Sequence, residues 1–209
     1  MPNRQPGLGS TGDKVTKLRV YFSFRSPYAR LGVHKVAQLP FLSEIELELL
    51  PFSGPPEGVP FFDPVSSPLK RAYYAEDAPR MTRVMDLPFQ RPDPFDVPLT
   101  RANRLFLAAQ KEGKGLDMVL ALFEARWGQG ANISGMSVLA DIAVSVGLPA
   151  DLAKSAKTDK ALGEELVAIE SQVAADSVFG VPFAVWERDG KTEKFWGQDR
   201  FDLLIDLLP

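Results

Sequence analysis

The 209-residue chain contains no cysteine and a single histidine, His34. The first absence excludes disulfides, thiolate metal sites and thiol redox chemistry by the protein itself; the second excludes multi-histidine metal sites. No calcium-loop spacing of carboxylates is present, and no metal ligand is assigned. Long apolar runs are missing as well. No stretch approaches the ~18–20 apolar residues of a membrane span, and the polar N-terminus MPNRQPGLGSTGDK lacks the apolar segment of a secretory signal. The expectation is a cytoplasmic protein with no membrane partner. A large charge of one sign is also absent. The net charge of −3 argues against a nucleic-acid partner.

The charge that is there is uneven. Residues 1–110 carry 14 Lys and Arg against 11 Asp and Glu, whereas residues 111–209 carry 10 against 16. The first half thus has cations to offer an anionic small molecule. With 45% hydrophobic and 24% charged residues, the composition is that of an ordinary globular protein. The length suits one large core, or a small domain with a substantial insertion.

Residues 1–16 read as a flexible tail. Leu18 to Phe24 is rich in β-branched and aromatic residues and predicts a buried strand. Ser26-Pro27 then predicts a helix start, serine as the cap and proline at the first helical position, with the helix running to about Leu39. Ile45 to Leu49 alternates apolar and acidic residues, which predicts a strand with one wet face. A Pro-rich loop runs from Pro51 to Pro68, and a helix from Leu69 to about Leu87, broken near Pro79. A second Pro-rich loop spans Pro88 to Pro98. Further helices are expected from Thr100 to Lys111, from Leu116 to Trp127, from a cap at Ser134 or Ser137 to Gly147, and from a cap at Thr158 to about Asp176. Strands return at Pro182 to Trp186 and Glu193 to Trp196, joined by the turn signal Asp189-Gly190, and Asp199 to Leu208 predicts a closing helix.

The order β-α-β, a long helical block, then β-β-α predicts an α/β thioredoxin-like fold. A large all-helical insertion separates its two halves. Residues 17–55 and 176–209 would form the thioredoxin-like domain, and 56–175 the helical insertion.

Three segments can carry chemistry. At Phe24-Arg25-Ser26-Pro27-Tyr28-Ala29, Ser26 and Ala29 stand where redox-active thioredoxin folds place the two cysteines of Cys-x-x-Cys. A Ser-His nucleophile is excluded, because His34 lies eight residues along the same helix, ~12 Å away. The remaining role for the Ser26 hydroxyl is to donate a hydrogen bond to a thiolate supplied by a ligand. Gly180-Val181-Pro182 precedes a strand and predicts a cis peptide at Pro182, with the Val181 backbone available to an extended peptide. Trp196-Gly197-Gln198-Asp199-Arg200 opens the last helix, where unpaired N–H groups favour a carboxylate and Asp199 suits an amine.

In this order and spacing, together with Lys70-Arg71-Ala72-Tyr73-Tyr74, Asp77 and Arg80 in the helical block, these segments resemble the 2-hydroxychromene-2-carboxylate isomerases and the related kappa-class glutathione transferases. The similarity runs from about Lys17 to Leu208. It implies glutathione as the cofactor and a small-molecule second substrate, in a homodimer. Ser26 would hydrogen-bond the glutathione sulfur as the catalytic residue. Val181 with Pro182 would pair with the cysteinyl backbone, and Gln198 and Asp199 would hold the γ-glutamyl end. The helical block would cover the cleft, with Tyr28, Arg80, Arg83 and Arg91 toward the second substrate. The implied activity is glutathione-dependent isomerisation of an aromatic-derived unsaturated carboxylate. A kappa-like transferase and a non-catalytic thioredoxin-fold binding protein are the alternatives. The chain departs from the family pattern at Arg25, at Arg30 where an aromatic residue is common, and in Phe52-Ser53-Gly54-Pro55-Pro56, which does not reproduce a glutathione-binding asparagine. These departures bear on the natural substrate more than on the fold, and would fit a subgroup with a different, more anionic substrate.

Overall fold

The computed structural model describes residues 16–60 and 66–207. The expected N-terminal tail, all but Thr16, and Leu208 lie outside the described residues. Four strands form one mixed sheet in the order β2-β1-β3-β4, with β1 at Thr16–Phe22, β2 at Ile45–Pro51, β3 at Phe183–Arg188 and β4 at Lys191–Trp196. β1 pairs parallel with β2 and antiparallel with β3, and β3 pairs antiparallel with β4. In this register Val20 lies between Leu49 and Ala184. Helix α1, Pro27–Ala37, makes the crossover between the parallel strands.

The insertion between β2 and β3 is helical: α2 (Pro68–Val84), α3 (Thr100–Lys111), α4 (Gly115–Phe123), α5 (Met136–Ser145), α6 (Leu152–Thr158) and α7 (Lys160–Ala175). Helix α8, Arg200–Leu207, closes the chain against α1 and β4. None of the helices among the described residues is long and apolar enough to cross a membrane. The sheet and the inserted helices share one core. Phe22 and Phe24 meet Phe106 of α3 and Phe123 of α4 edge-on, with ring centroids 4.9–5.9 Å apart. Such pairs add roughly 0.5–1.5 kcal/mol each beyond their burial.

Several boundaries differ from the sequence expectation for local reasons. The first strand ends at Phe22 rather than Phe24, because the N–H of Ser26 turns back to the carbonyl of Ser23 at 2.9 Å. β2 reaches Pro51, which an edge strand tolerates. α2 runs unbroken through Pro79. The carbonyl that loses its partner there belongs to exposed Ala75, where water can bond it. Leu99, not Thr100, holds the cap position of α3, and Gly135, not Ser134 or Ser137, that of α5. Ser134 instead bonds the side chain of Asn132. Thr158 ends α6, a helix the sequence did not announce, and Asp159 caps α7 by accepting from the N–H groups of Ala161 and Leu162. An aspartate beside a threonine takes the cap because its carboxylate also favours the helix dipole.

The end of α7 is tied to the sheet by a buried ion-pair group. Arg19 of β1 donates to Asp176 through Nε at 2.7 Å and Nη2 at 3.0 Å, and to Glu187 of β3 at 2.7 Å. The Tyr21 hydroxyl donates to the same Asp176 carboxylate. Burial opposes ionisation of Asp176, but hydrogen bonds from Arg19, Tyr21 and Gln172 outweigh it and hold its pKa below the usual carboxylate range. This contribution is therefore complete above the unfolded-state pKa of about 4 and is lost as pH falls through the lower folded-state value. Asp176→Asn should cost about 3 kcal/mol at neutral pH, because it removes one of the two carboxylates that pair the buried Arg19 guanidinium. Denaturant unfolding against pH checks this. The wild-type advantage must shrink below pH ~4; a constant difference would show that Asp176 does not supply the acid sensitivity.

Gly32 of α1 sits under the segment that leads into β3. A Cβ there would lie 3.0 Å from both Pro182 Cβ and Phe201 Cε2. Gly32→Ala gains helix propensity but overpacks this contact, for an expected net loss of about 1 kcal/mol. Unchanged or greater stability in urea unfolding would mean the contact is loose enough to absorb a methyl group.

Candidate functional site

The turn from β1 into α1 presents Ser26 as the N-cap of α1, with extended φ −98° and ψ 116°. Its Oγ accepts from the N–H of Ala29 at 3.1 Å. A hydroxyl has one donor hydrogen as well as its lone pairs, so the cap bond leaves the hydrogen available to an acceptor beyond the helix end. Ser26 is half-buried, and Ala29 is buried. His34, two turns on, is half-buried with Nε2 unpaired in the interior. Burial, with the Arg30 cation adding to it, pushes its pKa down to about 4. The imidazole is neutral at neutral pH and too far along α1 to serve Ser26 as a base.

The Val181–Pro182 peptide is cis. Pro182 is buried against α1 at Gly32, and half-buried Val181 precedes the first residue of the β3 ladder. The N–H of Gly197 donates to the Pro182 carbonyl at 2.9 Å, which joins the entrance of α8 to this segment. Lys35 Nζ of α1 donates to the Gln198 carbonyl at 3.0 Å. Gln198 is buried, and its side-chain Oε1 has no hydrogen-bond partner. Asp199 is exposed beside Arg200. An aromatic pair, Phe179 and Trp196, flanks the segment with ring centroids 4.8 Å apart, and both are exposed. The structure thus brings Val181, Pro182, Gln198 and Asp199 together on one flank of α1. Ser26 stands at the N-terminus of the same helix, about 9 Å along the axis from Gly32.

Across α1, Asp77 of α2 gathers three groups. It accepts from the Tyr28 hydroxyl at 2.7 Å, from Arg80 at 2.7 Å and from the Tyr73 hydroxyl at 3.2 Å. The Tyr28 and Tyr74 rings meet edge-on at 5.8 Å. Burial first, then the Asp77 carboxylate, pushes the Tyr28 phenol above its ordinary pKa, so it stays a donor. Tyr28 and Arg80 are therefore brought together, with Asp77 between them. Arg83 lies in the last turn of α2, outside this group, and Arg91 lies over the Phe95 ring at 5.2 Å. Two open surface hollows lie away from Ser26. One is lined by Lys35, Gln38, Val84, Met85 and Asp202, the other by Pro98, Arg101, Arg104, Ser134 and Lys157.

Residues that sequence reasoning passed over stand directly behind the Ser26 turn. After α4 the chain makes a π turn, Glu124–Gly128, in which the N–H of Gln129 bonds the carbonyl of Glu124. The wider turn sends three successive side chains, Ala125, Arg126 and Trp127, into the interior. Trp127 Nε1 donates to the carbonyl of Phe24 at 2.9 Å. Arg126 is 1% exposed and donates through Nη2 to the Phe95 carbonyl. Its Nε and Nη1 have no partner. Burial lowers its pKa, Asp96 opposes that shift, and Arg25 adds to it. Arg30, fully buried in α1, donates to the Pro88 carbonyl and to Glu124 Oε2, each at 2.7 Å. Gly128 leaves room for that carboxylate, since a Cβ would fall 2.2 Å from Glu124 Oε1. The charges at 124 and 126 inside an apolar run were the only sequence signal for this arrangement.

Comparison with known proteins places these features in a family. An uncharacterised Bacillus subtilis (strain 168) protein, YwbO, is 26% identical over 140 residues, 66% of this chain and 70% of that protein. Among solved structures, a 2-hydroxychromene-2-carboxylate isomerase superposes with a TM-score of 0.74 at 20% identity, covering 91% of this chain and 93% of its own. The cytosolic disulfide reductase DsbM from Pseudomonas aeruginosa, solved with glutathione, superposes with a TM-score of 0.60 at 15% identity, covering 91% and 97%. At these identities the structures establish the thioredoxin-like fold with its helical insertion. The family model for the DSBA-like thioredoxin domain matches residues 17–208, and the chain belongs to that family.

Proposed function

We propose that this protein binds glutathione along α1 and uses its thiol to isomerise a small, aromatic-derived unsaturated carboxylate. The observation that carries the reading is the Ser26 hydroxyl. It caps α1 as an acceptor and keeps a donor hydrogen, in a chain with no thiol of its own. Glutathione in the DsbM structure and the fold shared with the isomerase support it.

The residues present suit the tripeptide. Val181 precedes the β3 ladder and offers backbone N–H and C=O groups to the cysteinyl unit. Gln198 Oε1, buried without a donor, suits the amine of the γ-glutamyl end, and exposed Asp199 adds a carboxylate to it. When bound, glutathione supplies a thiolate whose reversible addition to a conjugated double bond lets that bond rotate and re-form, with no net oxidation. Ser26 and the α1 N-terminus favour the ionised sulfur. Tyr28 and Arg80, held on Asp77, form the wall toward the second substrate, with Arg83 and Arg91 as further cations.

Two substitutions separate affinity from activation. Ser26→Ala should raise the pKa of the bound thiol by ~1–2 units and cut turnover at neutral pH about tenfold or more, with glutathione affinity little changed. It should also lower stability by ~1 kcal/mol through the lost cap. Gln198→Ala should weaken glutathione binding about fivefold and leave the thiol pKa unchanged. Thiolate absorbance of the bound tripeptide against pH, together with calorimetric affinity, reads both. Superimposable titration curves for wild type and Ser26→Ala would refute the role given to the hydroxyl.

A further inference from the structure

Arginine rarely lies fully buried unless it is paired, because leaving its N–H groups unbonded in the interior is costly. Arg126 has two such groups, Nε and Nη1, and a third that bonds only a carbonyl. It does not stand alone. Arg25, the residue before Ser26, and Arg91, over the Phe95 ring, converge on the same loop, whose Phe95 carbonyl Arg126 holds. Trp127 fixes the other side, with its indole bonded to Phe24 and its ring 5.9 Å from the Arg126 guanidinium. Asp96, largely exposed, lies 3.6 Å from Arg25. Phe89, Phe95 and Trp127 supply flat apolar surfaces next to these charges.

We infer that Arg126, with Arg25 and Arg91, forms a carboxylate-binding subsite behind the Ser26 turn, in which Asp96 stands in for the ligand and gives way to it. The ligand class is a small aromatic carboxylate. The cations and the unpaired N–H groups of Arg126 recognise its anionic group, and the aromatic side chains face its ring. The displaced contact is weak. An exposed, 3.6 Å ion pair between Asp96 and Arg25 is readily exchanged for a ligand carboxylate that bonds Arg25 and an unbonded N–H group of Arg126. This deepens the isomerase reading and rests on it only for what happens to the ligand after binding. It assigns the substrate's carboxylate to Arg126, which the sequence resemblance did not mark, beside Arg91, which it did.

The test uses the full chain without glutathione, so it stands apart from the thiolate chemistry. Calorimetric titration with benzoate and with its neutral isostere benzamide should show a preference for benzoate of about tenfold or more. Arg126→Met keeps the stem volume and should abolish that preference without lowering the melting temperature, since it removes an incompletely bonded buried charge. Asp96→Asn, at an exposed position with no demand on folding, should tighten benzoate severalfold by removing the competitor. Equal binding of benzoate and benzamide by the wild type overturns the proposal. So does a preference that survives in Arg126→Met, or benzoate binding unchanged or weakened in Asp96→Asn. If Arg126→Met does not fold, the Asp96→Asn titration decides alone.

Discussion

The rest of the site depends on how Phe24 is held. Its ring sits in the aromatic cluster with Phe22 and Phe123, and its carbonyl accepts the indole N–H of Trp127. One residue thus fixes the end of β1 to the helical insertion both by apolar packing and by a directed hydrogen bond. The backbone of the next two residues, Arg25 and Ser26, inherits that placement. A helix N-terminus is useful for binding an anion only if its first N–H groups and cap are held still. Here the cap is held from behind by a different domain half, more than one hundred residues away in sequence. The insertion therefore completes the turn that presents Ser26, and is more than a cover laid over it.

The same packing explains why charged residues survive inside it. Arg30 takes a core position on α1 because Pro88 offers a carbonyl and Glu124 a carboxylate within 2.7 Å, and Glu124 can reach it because residue 128 is glycine. Glu124 and Gly128 belong to the π turn that also places Trp127, and Pro88 opens the loop that is bonded to it. Losing any one would leave a buried guanidinium short of bonds, and the penalty for that exceeds the modest benefit of making one. The loop at 88–98, the π turn and α1 therefore form one interdependent unit. It is bound further by the Gln90 N–H on the Trp127 carbonyl at 2.7 Å.

What could be read from the sequence follows the range of the interactions involved. The β-α-β and β-β-α halves, the Ser26-Pro27 helix start and the cis Val181–Pro182 peptide rest on local signals or on short motifs, and the structure carries all three. Asp77 was legible only as part of the family pattern in the helical block. Its role as the acceptor for Tyr28 depends on α2 lying against α1, 49 residues apart in sequence. Asp176 was read as the end of a helix, and its pairing with Arg19 spans 157 residues. The π turn escaped because hydrophobic periodicity assumes 3.6 residues per turn, and Glu124–Gly128 breaks that period by one residue. Arg126 was consequently assigned to no face of the helix, although it is the most thoroughly buried charge next to Ser26 apart from Arg30.

A thioredoxin-like chain that has lost both cysteines retains whatever in the fold does not require sulfur of its own. The α1 N-terminus still points unpaired N–H groups and a positive dipole end past Ser26. Arg25 adds a full charge one residue before it, and Arg126 adds another from behind, in an interior where charge is poorly screened. The neutral His34 contributes no charge and accepts no proton there at neutral pH. Asp96, 3.6 Å from Arg25, and Glu124, bonded to Arg30, offset part of this positive field. A helix N-terminus with these cations around it favours a negative charge, whether on a sulfur or on a carboxylate. With no cysteine in the chain, any thiolate at this turn has to come from a ligand.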